Sequence, residues 1–180
     1  YPFLKTVNPN DLHQKAIKQE NPHIFIVLFE SLNYFALDAT NQKGVEYTPF
    51  LNQLKNKSVY MTNFYGNSIQ TAKGHFSTFF SIIPSINKTV FSNHSDSSFQ
   101  SLATILKTRG YETIVFSASN DKNFDNTSNM LAQNGIDRFV TPKDLGIEFD
   151  KEDKLLWGPK DDVFVNLFFD TFKKEINQTS

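Results

Sequence analysis

The 180-residue chain contains no cysteine. Disulfides, thiolate metal sites and a thiol nucleophile are thereby excluded. Neither sign of charge is in excess, since 19 acidic residues face 18 basic ones for a net charge of −1. A nucleic-acid binder needs a basic surplus to displace counterions from phosphates, so no nucleic-acid partner is expected. Long hydrophobic runs are absent as well. The longest, Ile24-Phe25-Ile26-Val27-Leu28-Phe29, has six residues, against ~20 for a helix that spans a bilayer. Tyr1-Pro2-Phe3-Leu4 has neither the basic start nor the apolar run of a signal peptide. The sequence therefore reads as a soluble piece whose upstream targeting segment lies outside it.

Apolar residues make up a lean 39%, yet the chain carries 19 Phe. Each buries a large area, so a core can form and wholesale disorder is excluded. The length suits one ordinary domain, and with no repeats or linkers residues 1–180 read as a single domain.

The run His23–Phe29 is short, partly β-branched and bounded by Asn21-Pro22 and Glu30-Ser31. It predicts a strand buried on both faces, as in a parallel sheet. Thr48-Pro49 is a helix start, with Phe50, Leu51 and Leu54 on one face. Ser58–Tyr65 alternates and predicts a second strand. Phe76, Phe79, Phe80 and Ile83 recur at helical spacing over 71–82, and that helix ends before Pro84. Ser98 is expected to cap a further helix with Phe99, Leu102, Ile105 and Leu106 inward and Gly110 as its stop.

A strand follows over Tyr111–Ser117, then a helix near Thr127–Gln133 ending at Gly135, and a short strand at Arg138–Val140. Asp161 opens a last helix bearing Val163, Phe164, Leu167, Phe168 and Phe172. Strands alternating with helices predict an α/β fold with a largely parallel sheet and helices on both faces.

Ligands of such sheets gather at the carboxyl ends of the strands. Glu30 stands where the first predicted strand stops, and a carboxylate there suits a hard cation. A surface Glu beside a loop is the plain alternative. Thr71 opens the Phe-rich helix, where free amides and the dipole favour an anion or a forming alkoxide. Taken alone, such a Thr is more often just a helix cap. Lys73 and His75 in the next turn are candidate anion contacts, His94 a weaker one; solvent-facing side chains are the alternative for all three.

Ile24 to Leu32 resembles the opening strand of the lipoteichoic acid synthase branch of the sulfatase/alkaline-phosphatase superfamily. So do Thr48-Pro49-Phe50-Leu51-Asn52 and Asn63-Phe64-Tyr65-Gly66. Thr71 to Pro84 has the length of the sulfatase signature, in which a nucleophile begins a helix. Gly110-Tyr111-Glu112-Thr113, Asn120 to Phe124 and Trp157-Gly158-Pro159-Lys160-Asp161-Asp162 recur in the family's order.

The resemblance implies an alkaline-phosphatase-like fold, here in its amino-terminal part. It implies Thr71 as a metal-activated nucleophile that takes a phosphoryl group covalently, and Glu30 with Thr71 as ligands of one divalent ion. Manganese or magnesium is favoured, with zinc or calcium possible. Asn120 and Phe124 match pocket positions. The implied partner is a phosphate ester of an envelope lipid or glycan. The implied setting is extracytoplasmic, beside a membrane reached through an upstream anchor. True sulfatases use a formylglycine made from Cys or Ser, which Thr cannot yield, so phosphoryl chemistry is favoured over sulfate-ester hydrolysis.

Two departures accompany the resemblance. The family completes its metal site with an Asp-His pair, and no Asp-His or His-Gly occurs in this sequence. A missing carboxyl-terminal half is the expected reason; loss of activity, leaving a non-catalytic α/β binding module, is the alternative. Where the lipoteichoic branch places a Trp and an Arg around glycerol phosphate, this chain has Asp125 and Thr127. A carboxylate repels the anion and a Thr lacks the guanidinium fork.

Overall fold

The computed structural model describes residues 22–93, 95–150, 152–155 and 158–179. His94 and Trp157 lie outside the described residues. The chain divides into two compact units, Tyr1–Tyr60 and Met61–Ser180, each with its own internal frame.

In the first unit, the apolar run after Pro22 is irregular and forms no ladder. The buried strand expected there is not found, and its six side chains from Ile24 to Phe29 are 46–68% exposed. A strand is completed only by a neighbour that takes up its amides, and none pairs with it among the described residues. The chain then turns at Glu30, with Ser31 left-handed at φ 56°.

Helix α1, Pro49–Lys55, starts where Thr48-Pro49 predicts, with Thr48 as N-cap and Pro at its start. The Thr48 hydroxyl does not cap. It donates to the Ala36 carbonyl at 3.0 Å. The expected apolar face is also wrong: Phe50 is 71% exposed and Leu54 43%, while Asn52 is buried. The Asn52 side chain accepts from the Asp38 amide at 2.9 Å and donates to Glu46 at 3.2 Å. A polar knot thus organises this unit where periodicity suggests an apolar stripe.

Residues 58–65, expected as a strand, are irregular. Helix α2, Thr71–Phe80, follows and ends at Ser81, which is left-handed at φ 54°. Its Phe76 and Phe80 are buried, whereas Ile83, expected on the same face, is exposed beyond the helix end. Helix α3 spans Val90–Asn93.

Helix α4, Leu102–Lys107, is capped by Ser101 rather than Ser98. Ser101 and Thr104 form a reciprocal capping box, and the Ser101 hydroxyl also donates to the Asn134 carbonyl. Ala103 is the buried residue of α4 and Ile105 is exposed, contrary to the inward face expected.

Strand β1, Ile114–Phe116, pairs in parallel with β2, Arg138–Val140, and α5, Thr127–Gln133, lies between them in sequence. This is a βαβ unit. Gly135 ends α5 at φ 101°, and a Cβ there would sit 2.7 Å from the Thr104 methyl, so only glycine fits.

Helix α6, Asp161–Thr179, docks on β1 through Phe168 and Phe116, ring centroids 4.9 Å apart. The core of the unit gathers Phe76 and Phe80 of α2, Val90 and Phe91 of α3, Ala103, Met130, Leu131 and Ile136. Phe99 meets Phe76 edge-on at 5.4 Å, an arrangement aromatic rings favour. The architecture is α/β with a small parallel sheet, as the alternation of elements predicts.

Candidate active site

Thr71 is the first residue of α2 and is exposed. It is not the helix cap. That place is held by Gln70, whose side chain makes no capping hydrogen bond, while its carbonyl accepts from the Lys73 and Gly74 amides at 3.1 Å each. The Thr71 hydroxyl therefore sits inside the first turn, at the positive end of the dipole.

His75 lies four residues on, on the same helical face. It is half-buried, with its ring edge-on to Phe79 at 6.4 Å. Lys73 points elsewhere: the residue is only 5% exposed, and its ammonium donates to the Ile86 carbonyl at 2.7 Å.

Asn120 stands just past the carboxyl end of β1. The turn there is built by side chains: Ser117 Oγ accepts from the Ser119 amide and Ser119 Oγ from the Asp121 amide, both at 3.2 Å. Asn120 Oδ1 is buried and accepts no hydrogen bond among the described residues. Such an acceptor is costly to leave unmade and suits a donor brought by a ligand or water.

Against the same strand end packs the loop Asp153–Lys160, closed by the Lys160 amide on the Asp153 carbonyl at 2.9 Å. A Cβ on Gly158 would lie 2.0 Å from the Ala118 carbonyl oxygen.

Phe124 is 61% exposed at the start of a 3-10 turn, Phe124–Asn126. Asp125 is left-handed at φ 52° and accepts from Ser92 Oγ at 3.3 Å. Thr127 Oγ1 donates to the Phe124 carbonyl at 2.9 Å. Helix α3 packs on both α2 and this turn, so one frame carries the Thr71 helix and the Asn120–Thr127 segment.

Glu30 belongs to the other unit, is exposed, and accepts from the Ser31 hydroxyl at 3.3 Å. A carboxylate such as that of Glu30 suits a hard divalent cation, but one donor falls short of a site. No cluster of three His, Asp or Glu able to hold a metal occurs among the described residues. None of their helices is long and apolar enough to cross a membrane.

Sequence reasoning missed the polar ties that aim these segments, Ser92–Asp125 and Lys122–Asp144 among them. It also missed the groove beside α2 lined by Ile82, Ile83 and Lys88. The closely spaced isoleucines around Pro84 were its only signal.

The helices around this parallel βαβ unit form an incomplete α/β fold whose solved structural neighbours are of the alkaline-phosphatase superfamily. The solved lipoteichoic acid synthase LtaP from Listeria monocytogenes is similar, with a TM-score of 0.66 and 27% identity over 76% of this chain and 33% of that one. An alkaline phosphatase superfamily protein from Vibrio parahaemolyticus shares the fold at a TM-score of 0.59 and 23% identity, covering 70% of this chain and 30% of that one.

The chain belongs to the sulfatase family, whose model matches residues 22–180. Lipoteichoic acid synthase 2 of Bacillus subtilis (strain 168) is 35% identical over 98 residues, 52% of this chain. The chain spans only 15% of that relative's length. The family is one of phosphoryl and sulfuryl transferases and hydrolases, and is generally metal-dependent.

Proposed function

We propose that this chain carries the nucleophile of a phospho-group transferase or phosphodiesterase acting on a phosphate ester of an envelope lipid or glycan. The observation that carries the reading is Thr71 at the exposed, uncapped start of α2. Its Oγ1 would attack phosphorus, and its proton would pass by way of water to the leaving alkoxide. The bond from phosphorus to the ester oxygen breaks, and the leaving alkoxide takes up that proton. The phosphothreonine then passes its phosphoryl group to an acceptor hydroxyl or to water, which restores Thr71. Helix amides favour the charge that gathers on the phosphoryl oxygens.

Thr71 would contribute an oxygen to a divalent ion, manganese or magnesium by preference, with further ligands from outside the described residues; the Glu30 carboxylate is of the type that would hold such an ion too. Such an ion would supply charge to offset the forming alkoxide. His75, on the Thr71 face, would meet the substrate anion. Lys73, whose ammonium is held by the Ile86 carbonyl, would act on the substrate only through its charge. Asn120 and Phe124 would hold the group esterified to phosphate. Similarity to lipoteichoic acid synthases supports an extracytoplasmic place near a membrane.

Asp125 and Thr127 support a substrate other than glycerol phosphate. Asp125 offers a carboxylate, and the Thr127 hydroxyl is spent on the Phe124 carbonyl.

The test is intact-mass and peptide mapping of the protein, in its longest natural form, after brief exposure to a nitrophenyl phosphodiester with manganese. A phosphoryl adduct on the Thr71 peptide, lost with turnover in Thr71→Ala, is expected. Undiminished turnover in that variant, or an adduct elsewhere, would overturn the reading. Turnover of sulfate esters alone would move the protein to the sulfate-ester branch.

A further inference from the structure

The turn of α2 that carries Thr71 has weak support of its own. The N-cap Gln70 gives no side-chain hydrogen bond to the free amides, and a helix start without a cap tends to fray. Gly74 closes the same turn, with nothing within 4 Å of an added Cβ, and a glycine inside a helix weakens it further. The turn is bonded through the Lys73 and Gly74 amides, both on the Gln70 carbonyl at 3.1 Å.

Lys73 holds this turn from behind. Two residues after Thr71, it projects about 200° round the helix from it. There it is 5% exposed, and its ammonium donates to the Ile86 carbonyl at 2.7 Å. That carbonyl is itself steadied, because Ile86 lies between Pro84 and Val90, both buried. No carboxylate pairs with the ammonium among the described residues. A buried cation without a counter-ion is unfavourable. What it contributes here is direction, through one charge-assisted bond that pins the turn to a fixed carbonyl.

We infer that Lys73 is a positioning residue. Its bond to the Ile86 carbonyl holds the first turn of α2, and through that turn the Thr71 hydroxyl, in line for attack. This role rests on Thr71 as the nucleophile. A reacting group misplaced by ~1 Å can lose about 100-fold in rate, while a substrate that the ammonium does not touch binds as before.

The experiment joins amide hydrogen exchange to steady-state kinetics on a nitrophenyl phosphodiester with manganese, on the protein in its longest natural form. In Lys73→Met the amides of residues 73 and 74 should exchange about tenfold faster. The Ser81 amide, bonded to the Ser77 carbonyl at the far end of α2, should exchange as in the parent. The kcat should fall about tenfold with KM within about twofold of the parent. Gly74→Ala, which stiffens the turn, should return most of the lost protection and kcat when added to Lys73→Met. If Lys73→Met does not fold, Lys73→Gln, too short to reach the same carbonyl from the same place, is read in the same way.

Unchanged exchange in the first turn, equal acceleration at Ser81, an unchanged kcat, or a rise in KM alone would overturn the inference. Turnover kept in Thr71→Ala would remove the nucleophile and this role of Lys73 with it. A normal first turn in Lys73→Met would remove the role of Lys73 and leave the nucleophile standing.

Discussion

Arg138 in β2 donates two parallel hydrogen bonds to the Glu175 carboxylate in α6, at 2.6 and 2.7 Å. A guanidinium matches a carboxylate in this two-pronged way, which sets direction as well as strength. With the Phe116–Phe168 contact, it fixes α6 on the sheet formed by β1 and β2. Glu112 lies 3.6 Å from the same guanidinium as a secondary partner. The bond to Arg138 holds the Glu175 carboxyl below the usual glutamate range. Arg138 keeps 40% and Glu175 32% of its side chain exposed, so solvent screens much of the attraction.

Glu175→Gln is therefore expected to cost about 1 kcal/mol, read as a lower denaturant midpoint with an unchanged slope. No shift in midpoint would mean that α6 is held by its aromatic face alone.

A second prediction concerns acid. The Lys122 ammonium, 2.8 Å away, and the Thr141 hydroxyl hold the Asp144 carboxyl at about 2. A carboxyl depressed by folding stabilises the fold above its unfolded value of about 3.9. That contribution is lost as pH falls from there through about 2. Stability of the parent should accordingly decline across this window, and Lys122→Met should decline less. Carbon-13 titration of Asp144 checks the assignment: its midpoint must rise in Lys122→Met, or the ion pair is not the cause.

Lys73 gives the third. Its ammonium is buried against one carbonyl, so its removal loses a charge-assisted hydrogen bond but also relieves a buried charge. Lys73→Met should then cost about 1 kcal/mol, and Lys73→Glu considerably more. Thermal melting measures both. A lysine that only contacts substrate would leave melting unchanged in Lys73→Met and raise KM.

Helices were the legible part of this sequence, because their signals are local. Phe76 and Phe80, four apart, predict α2, and Gly135 ends α5 where its left-handed φ is needed. The strand pair β1 and β2 was also found, since a helix sits between them and completes the unit locally. The run from Ile24 to Phe29 reads as a strand too, yet strand formation depends on a partner that the residues themselves do not specify.

Caps failed for a related reason. Ser98 and Ser101 offer the same hydroxyl, and only contacts with Thr104 and the distant Asn134 decide between them. At the candidate site the helix start at Thr71 and the loop at Asn120 were both visible. Asn52 and Lys73 carry no sequence mark of burial, because each is buried by bonds to residues 13 or 14 positions away.

Gly158 provides the last test and bears on the carboxyl end of β1. A methyl there would fall 2.0 Å from the Ala118 carbonyl oxygen, a rigid backbone atom. Gly158→Ala must therefore shift either the Asp153–Lys160 loop or the strand end that leads to Asn120. Gly74 is the matched control, because it lies inside α2, three residues from Thr71, with nothing within 4 Å of an added Cβ.

Alanine at Gly74 should stabilise the fold by about 0.5–1 kcal/mol, since a helical glycine loses more backbone freedom. Alanine at Gly158 should destabilise by about 2 kcal/mol or more. If Asn120 holds substrate, Gly158→Ala should also raise KM for a phosphodiester while Gly74→Ala leaves it near the parent value. Melting curves and steady-state kinetics on the pair decide the matter. A Gly158→Ala protein as stable as the parent would show that the loop does not press on β1.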